Sequence, residues 1–263
     1  MIIITTQCFS PKIGGIEALM TGMAESLSAI GKEVLVLADG KENLDLHSKI
    51  QYSIKRFHGW KPIRRIRKAK YLEKICKEKH VEAIYADSWK SIEYINKKNK
   101  KILVLAHGTE IPKEYWSLMI DIIRFKKNRI LKSYKGVYKI IANSNYTKDL
   151  IQASLKLDLN KIEIIHPGID VYKDFISDEE EHYVKSLIYK KSPIISTLAR
   201  VEKRKGHEYV IFAIKELIDK FPDILYLIAG KGPYLDTVKN LVKKNKLENN
   251  IIFLGWITEP EKS

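Results

Sequence analysis

Cysteine is scarce: Cys8 and Cys76 are the only two in 263 residues. With no CxxC and no nearby histidine pair, they offer neither a disulfide framework nor a zinc site, and they fit a reducing cytosol. Long apolar runs are missing too. The longest stretch free of charged residues, Met1 to Pro11, is far below the ~18 residues a membrane span requires. Met1 leads into IIITT without a basic lead-in, so no secretory signal is visible and a cytoplasmic location is expected. Asp-x-Asp occurs nowhere, which removes the usual carboxylate device for holding a divalent cation against a diphosphate. A Walker loop is absent as well, and Gly230-Lys231-Gly232-Pro233 lacks the third glycine of a dinucleotide fingerprint.

Negative charge is also in short supply, and its distribution is uneven. The net charge is +15, of which residues 1–172 carry +13 and residues 173–263 only +2. Two stretches hold much of the excess. Lys61 to Lys79 has nine basic and two acidic residues, and Arg124 to Lys139 has seven basic and none acidic. Both interleave apolar residues at helical spacing, Ile63, Ile66, Leu72 and Ile75 in the first and Ile130, Leu131, Tyr134 and Val137 in the second. Basic amphipathic helices of this kind suit an anionic membrane surface or a polyanion, or else present an ordinary solvated face.

Short β-branched runs recur at 2–6, 33–38, 52–57, 82–87, 101–106, 137–142 and 161–166, mostly as continuous apolar segments, as strands buried on both faces should be. Helical patterns separate them, the clearest running from Ile16 to Ile30 and ended by Gly31. That alternation predicts a parallel sheet covered by helices. The pattern lapses in an acidic and then basic stretch with a helical core and restarts with strands at 193–199, 224–230 and 250–256. The expected organisation is an N-terminal Rossmann-like domain over 1–172, a connection over 173–191 and a partial C-terminal Rossmann-like domain over 192–263.

In open parallel sheets ligands bind beyond the carboxyl ends of the strands. Gly14 and Gly15 stand ahead of a helix, where bare amides suit an anion, although a flexible turn would also use them. Arg200 follows a strand, and Lys205 precedes Gly206 and a helix, so that a planar fork, a point charge and a positive helix end could grip a diphosphate. Lys203 and Arg204 are expected to face solvent.

The ordered runs GGIE, HG, NS..T, HPGID, R-V-x-x-x-K-G-H, AGKGP and FLGWIT resemble the family 4 glycosyltransferases of the GT-B fold over essentially the whole chain. The resemblance implies two Rossmann-like domains facing a cleft, with a nucleotide-sugar donor on the second, a glycan or lipid-linked acceptor on the first, and metal-independent transfer with retention of configuration and no cofactor. The donor would be a UDP-, GDP- or ADP-sugar, and the setting cell-envelope polysaccharide or lipopolysaccharide synthesis on the inner face of the membrane. By the same resemblance, Arg200 and Lys205 neutralise the diphosphate, the amide of Gly15 beside Gly14 faces it, and Gly230 and Gly232 lie near the nucleoside. His107 lines the sugar pocket as the candidate catalytic residue, and a buried structural histidine is the alternative. Glu17, Asn143, Ser144, Gly168 and Asp170 fall on the acceptor side or in the cleft. The family's Glu-x7-Glu motif is expected after a further strand and helix, beyond the last residue of this sequence. Glu259 and Glu261 are too close together and too early to supply it, so the sequence is expected to be the front portion of an enzyme, with poor turnover and a less stable second domain. Two other readings remain: a nucleotide-sugar epimerase of the same fold, and a basic polyanion-binding protein without catalysis, although no nucleic-acid module is visible and nucleic acid is an improbable partner.

Overall fold

The structure is a computed structural model that describes residues 1–12, 14–41, 50–112, 120–168 and 178–257. The backbone divides into two compact units, Met1–Ile169 and Asp170–Ser263.

In the first unit the described strands are β1 (Ile2–Thr6), β2 (Val34–Asp39), β3 (Ser53–Phe57), β4 (Ala83–Ala86), β5 (Ile102–Ala106), β6 (Lys139–Ala142) and β7 (Ile162–Ile164). They form one sheet in the order β3-β2-β1-β4-β5-β6-β7, parallel throughout, with Ile2 opposite both Val34 and Ala83. The helices between them are α1 (Gly15–Ala29), α2 (Lys61–Glu78), α3 (Ile120–Tyr134) and α4 (Asn145–Leu155). Every residue of β1 and β2 is buried, which explains their lack of polar alternation. Successive side chains of β1 serve opposite faces. Ile3 joins a core with Leu72 of α2, Ile130 of α3 and Ile151 of α4, while Ile4 joins one with Met20 and Ala24 of α1. Gly31, at φ +79°, ends α1 in the left-handed conformation that glycine adopts without penalty.

The second unit holds α5 (Asp178–Ile188), β8 (Ile194–Leu198), α6 (His207–Leu217), β9 (Leu225–Ala229), α7 (Leu235–Lys244) and β10 (Ile251–Gly255). Its sheet is parallel in the order β10-β9-β8. Ile211, Ile214, Tyr226, Ile228, Val238, Val242 and Ile251 form its core.

The strands match the expected runs to within a residue or two at most ends. The apolar spacing of α2, in contrast, is not one face. Leu72 is buried and Ile75 packs against the core, whereas Ile63 and Ile66 are exposed. Lys68, within the expected solvated stripe, is 1% exposed. The reason is tertiary: α2 packs on the sheet so that the Lys68 ammonium reaches the last residues of β1 and β2, the Thr6 carbonyl and Asp39. Among the described residues, no helix is long and apolar enough to cross a membrane.

Candidate functional site

The chain runs outward from β1 through β2 to β3 and, in the other direction, from β4 through β5 and β6 to β7, so the winding reverses between β1 and β4. A crevice forms at such a reversal, beyond the strands' carboxyl ends. Asp87 stands there, directly after β4, at 2% exposure. Its carboxylate accepts from Thr6 Oγ1 at 2.9 Å, the Gln7 N–H at 2.7 Å and Ser91 Oγ at 2.5 Å. These bonds fix the path of the chain as it leaves β1 toward Gly14 and Gly15. Beside them, Lys68 Nζ donates to the Thr6 carbonyl at 2.7 Å and to Asp39 Oδ1 at 2.8 Å, and Arg64 pairs with Asp39 Oδ2 at 2.8 Å. Burial pushes the Lys68 ammonium below its usual pKa, against the pull of Asp39. A cluster of buried charge thus supports the crevice from beneath. Sequence reading missed Asp39, Lys68 and Asp87; the one available signal was an acid closing each of the apolar runs VLVLAD and AIYAD.

A cavity of about 160 Å³ opens above it, lined by Gln7, Cys8, Ile16, Asp87, His107 and Glu110 among others. His107 follows β5 and is partly buried. Its Nε2 lies 3.0 Å from the Asp87 carbonyl oxygen, which can only accept. Nε2 is therefore the donor of this contact, and in the neutral ring Nδ1 is the acceptor. The His107 backbone N–H donates to Glu110 Oε1 at 2.9 Å. Burial, reinforced by Asp87 and Glu17, pushes the Cys8 thiol up to about 12, which makes it a poor nucleophile at neutral pH.

The remaining first-unit candidates divide. Gly15 has open space where a Cβ would stand, while a Cβ on Gly14 would meet Glu17 Oε2 at 2.3 Å, so the Glu17 carboxylate lies beside the turn. Asn143 and Ser144 knit neighbouring loops together. Asn143 Oδ1 accepts from Thr147 Oγ1 at 2.6 Å, Ser144 caps α4 by accepting the Thr147 N–H at 3.2 Å, and His166 Nδ1 lies 3.2 Å from the Asn143 carbonyl. Gly108, at φ +83°, leaves just enough room for Thr147. Gly168 has nothing within 4 Å of a Cβ position. Asp170, Glu259 and Glu261 lie outside the described residues.

In the second unit, Arg200 follows β8, and Lys203–Lys205 form a 3-10 turn that Gly206, at φ +76°, hands over to α6. Among the described residues no side chain caps the start of α6, and although the Tyr209 N–H donates to the Gly206 carbonyl at 3.0 Å, the positive dipole end and the amides of His207 and Glu208 remain available to an anion. Glu202, which sequence reading passed over, organises the loop: it pairs with Arg200 Nη1 at 3.1 Å and with Arg204 Nε at 2.7 Å. Lys203, Arg204 and Lys205 are all exposed, so burial does not set Lys205 apart from its neighbours. His207, 1% exposed, anchors the loop from below. Its Nδ1 lies 3.0 Å from Tyr226 Oη, which donates to Thr197 Oγ1 at 2.9 Å. Burial pulls the His207 pKa down and keeps the ring neutral.

Gly230 and Gly232 are required by packing alone. A Cβ on Gly230, at φ +144°, would fall 1.9 Å from the Ala199 carbonyl oxygen, and one on Gly232 would fall 2.2 Å from that of Val201. The loop after β9 lies directly against the loop after β8, held by the Val201 N–H to the Lys231 carbonyl at 3.2 Å.

Two parallel sheets with their distinctive polar groups at the strands' carboxyl ends define an α/β protein of the GT-B type. HepE from Anabaena, solved in complex with UDP, superposes over 99% of this chain and 71% of its own, with a TM-score of 0.76 at 16% identity. WaaG, a glycosyltransferase involved in lipopolysaccharide biosynthesis, gives 0.68 at 14% identity over 100% of this chain and 72% of its own. Residues 13–173 match Glycosyltransferase Family 4, residues 178–263 match Glycosyl transferases group 1, and the chain belongs to this glycosyltransferase family. An uncharacterised glycosyltransferase of Methanocaldococcus jannaschii is 28% identical over 51% of the chain. A GDP-mannose-dependent alpha-(1-6)-phosphatidylinositol monomannoside mannosyltransferase of Mycolicibacterium smegmatis is 26% identical over 62%. The matched stretches span 34% and 41% of those two relatives' own lengths.

Proposed function

We propose that the protein transfers a sugar from a nucleotide-sugar donor to a glycan or lipid-linked acceptor, with retention of configuration, in the synthesis of cell-envelope glycans. The observation that carries this reading is the convergence of Arg200, the Lys203–Lys205 turn and the uncapped start of α6 at the carboxyl end of β8, within a chain of this family. Breaking the bond between the sugar and the diphosphate places negative charge on the leaving phosphate. Cations and helix amides fixed beforehand stabilise that charge as it develops. In this scheme Arg200 leaves Glu202 to bind the diphosphate, Lys205 supplies a second cation, and Gly230 and Gly232 bring the nucleoside side of the loop close. Within the first unit, His107 offers its Nδ1 to a sugar hydroxyl, and the amides of Gly14 and Gly15 are open to an anion. Glu17, Asn143, Ser144, Gly168 and Asp170 serve the acceptor side.

Calorimetry with UDP, GDP and ADP tests the donor assignment. With the best nucleotide, Arg200→Ala and Lys205→Ala should each weaken binding by about 1.5 to 3 kcal/mol, the range of a charge-assisted hydrogen bond, and Lys203→Ala by much less. Equal losses at all three positions would mean a diffuse basic patch. Product analysis with nucleotide sugars separates transfer from epimerisation, and family membership favours transfer.

A further inference from the structure

The basic loop after β8 carries an anion of its own. Between Arg200 and Glu208 the acidic residues are Glu202 and Glu208. Glu208, in the first turn of α6, is engaged by the neighbouring loop: its Oε2 accepts from Tyr234 Oη at 2.6 Å. Glu202 is turned onto the arginines, with Oε1 3.1 Å from Arg200 Nη1 and Oε2 2.7 Å from Arg204 Nε. Its side chain is 20% exposed, against 69% for Arg200 and 67% for Arg204. The acid is therefore the sheltered member of each pair, and the guanidiniums stand mostly in solvent. Nor does the carboxylate shape the turn. The backbone does that: the Glu202 N–H donates to the Arg200 carbonyl and the Glu202 carbonyl accepts the Lys205 N–H, both at 2.9 Å, while the side chain makes no capping bond.

We propose that Glu202 is a positioning residue that competes with the donor's diphosphate for Arg200. It holds the guanidinium while the site is empty and takes it back as the nucleoside diphosphate leaves. The inference rests on the donor assignment made under Proposed function. A carboxylate and a phosphate drawn to one guanidinium repel each other at close range. Whatever Glu202 contributes to the empty loop is thus subtracted from the affinity for the diphosphate. Arg200 waits in a defined place, and the grip on the product is weaker than the cations alone would make it.

Calorimetry of the full chain with UDP, GDP and ADP measures the effect. Glu202→Gln keeps the size of the side chain and one acceptor oxygen but removes the charge. It should bind the best of the three nucleotides about two- to fivefold more tightly than the parent, the worth of a partly exposed ion pair. In an Arg200→Ala background the same substitution should bring no gain, because the group competed for is gone. In a Lys205→Ala background it should bring the full gain. Thermal unfolding checks the fold of each variant. Unchanged or weaker binding by Glu202→Gln overturns the proposal, since a mere prop of the loop weakens binding when it is removed. An equal gain in the Arg200→Ala background also overturns it, in favour of long-range repulsion that does not pass through Arg200. If the parent binds none of the three nucleotides, the donor assignment falls and the competition with it; binding without an effect of Glu202→Gln sinks the competition alone.

Discussion

At the scale of single residues, buried charge decides most. Lys68 and Asp39 face each other at 2.8 Å with little solvent access to either, so removing Asp39 leaves Lys68 as a buried, uncompensated ion, and removing Lys68 leaves Asp39 with Arg64 as its one ion-pair partner among the described residues. Lys68→Ala or Asp39→Ala should each cost about 3 to 5 kcal/mol in denaturant unfolding, and the double variant clearly less than the sum. Additive losses would mean that the two charges do not depend on each other. His207 makes a pH-dependent contribution. Its folded pKa lies below the unfolded value near 6.5, so the unfolded chain binds the proton more readily, and the stability present above that value is lost as pH falls through the folded pKa. Unfolding followed by a probe in the second unit should weaken from pH 7 toward pH 5, and His207→Gln should flatten that slope. Cys8, with its thiol held near 12, should be alkylated at pH 8 on the order of a hundredfold more slowly in the native chain than after denaturation, as mass spectrometry of the modified peptide would read.

At the scale of elements, the loops after β8 and β9 depend on each other's backbone. Gly230→Ala forces a Cβ to within 1.9 Å of a carbonyl oxygen at positive φ, which should destabilise the second unit by about 2 to 5 kcal/mol. Gly15→Ala, with open space around its Cβ position, should stay within about 1 kcal/mol of the parent. A loss of nucleotide affinity in a normally stable Gly15→Ala protein would therefore reflect the ligand and not the fold. The two basic helices are also partly satisfied from within, since Glu93 takes both Arg65 at 3.1 Å and Arg129 at 2.6 Å and so ties α2 to α3. The cations left for a membrane surface include Lys61, Lys70, Lys126 and Lys127, without ion pairs among the described residues, and the same two helices or their flanks carry exposed Trp60, Ile63, Ile66 and Phe125. Apolar anchors surrounded by cations suit the interface of an anionic leaflet, where each cation contributes about 1 kcal/mol. Sedimentation with anionic vesicles should fade with salt and fall sharply in Trp60→Ser/Ile63→Ser; equal binding to neutral vesicles at low salt would leave α2 and α3 as solvated faces.

At the scale of the whole molecule, the two units are unequal. The first has two cores, one on each face of its seven-stranded sheet, while the second has one core on three described strands. Alternate residues of β8, from Ile194 to Leu198, remain exposed. Stability follows the apolar area removed from water, so amide exchange should be faster in β8–β10 than in β1, β2, β4 and β5. Uniform protection across both units would show that they unfold together.

Local patterning alone was enough for much of this. Continuous apolar runs specified buried parallel strands, helical spacing specified the covers between them, and the basic loop around Arg200 stood out because strand ends and helix starts can be read a few residues at a time. Three things depended on the tertiary structure: that Lys68 of a basic helix is interior, that Asp87 closes the crevice, and that Glu202 holds Arg200. Sequence periodicity reports how much of a residue is buried within its own element, whereas the partner of a buried charge is set by sheet order. β1 lies between β2 and β4 only after chain segments some eighty residues apart have paired, and that pairing brings Asp39, Lys68 and Asp87 around Thr6.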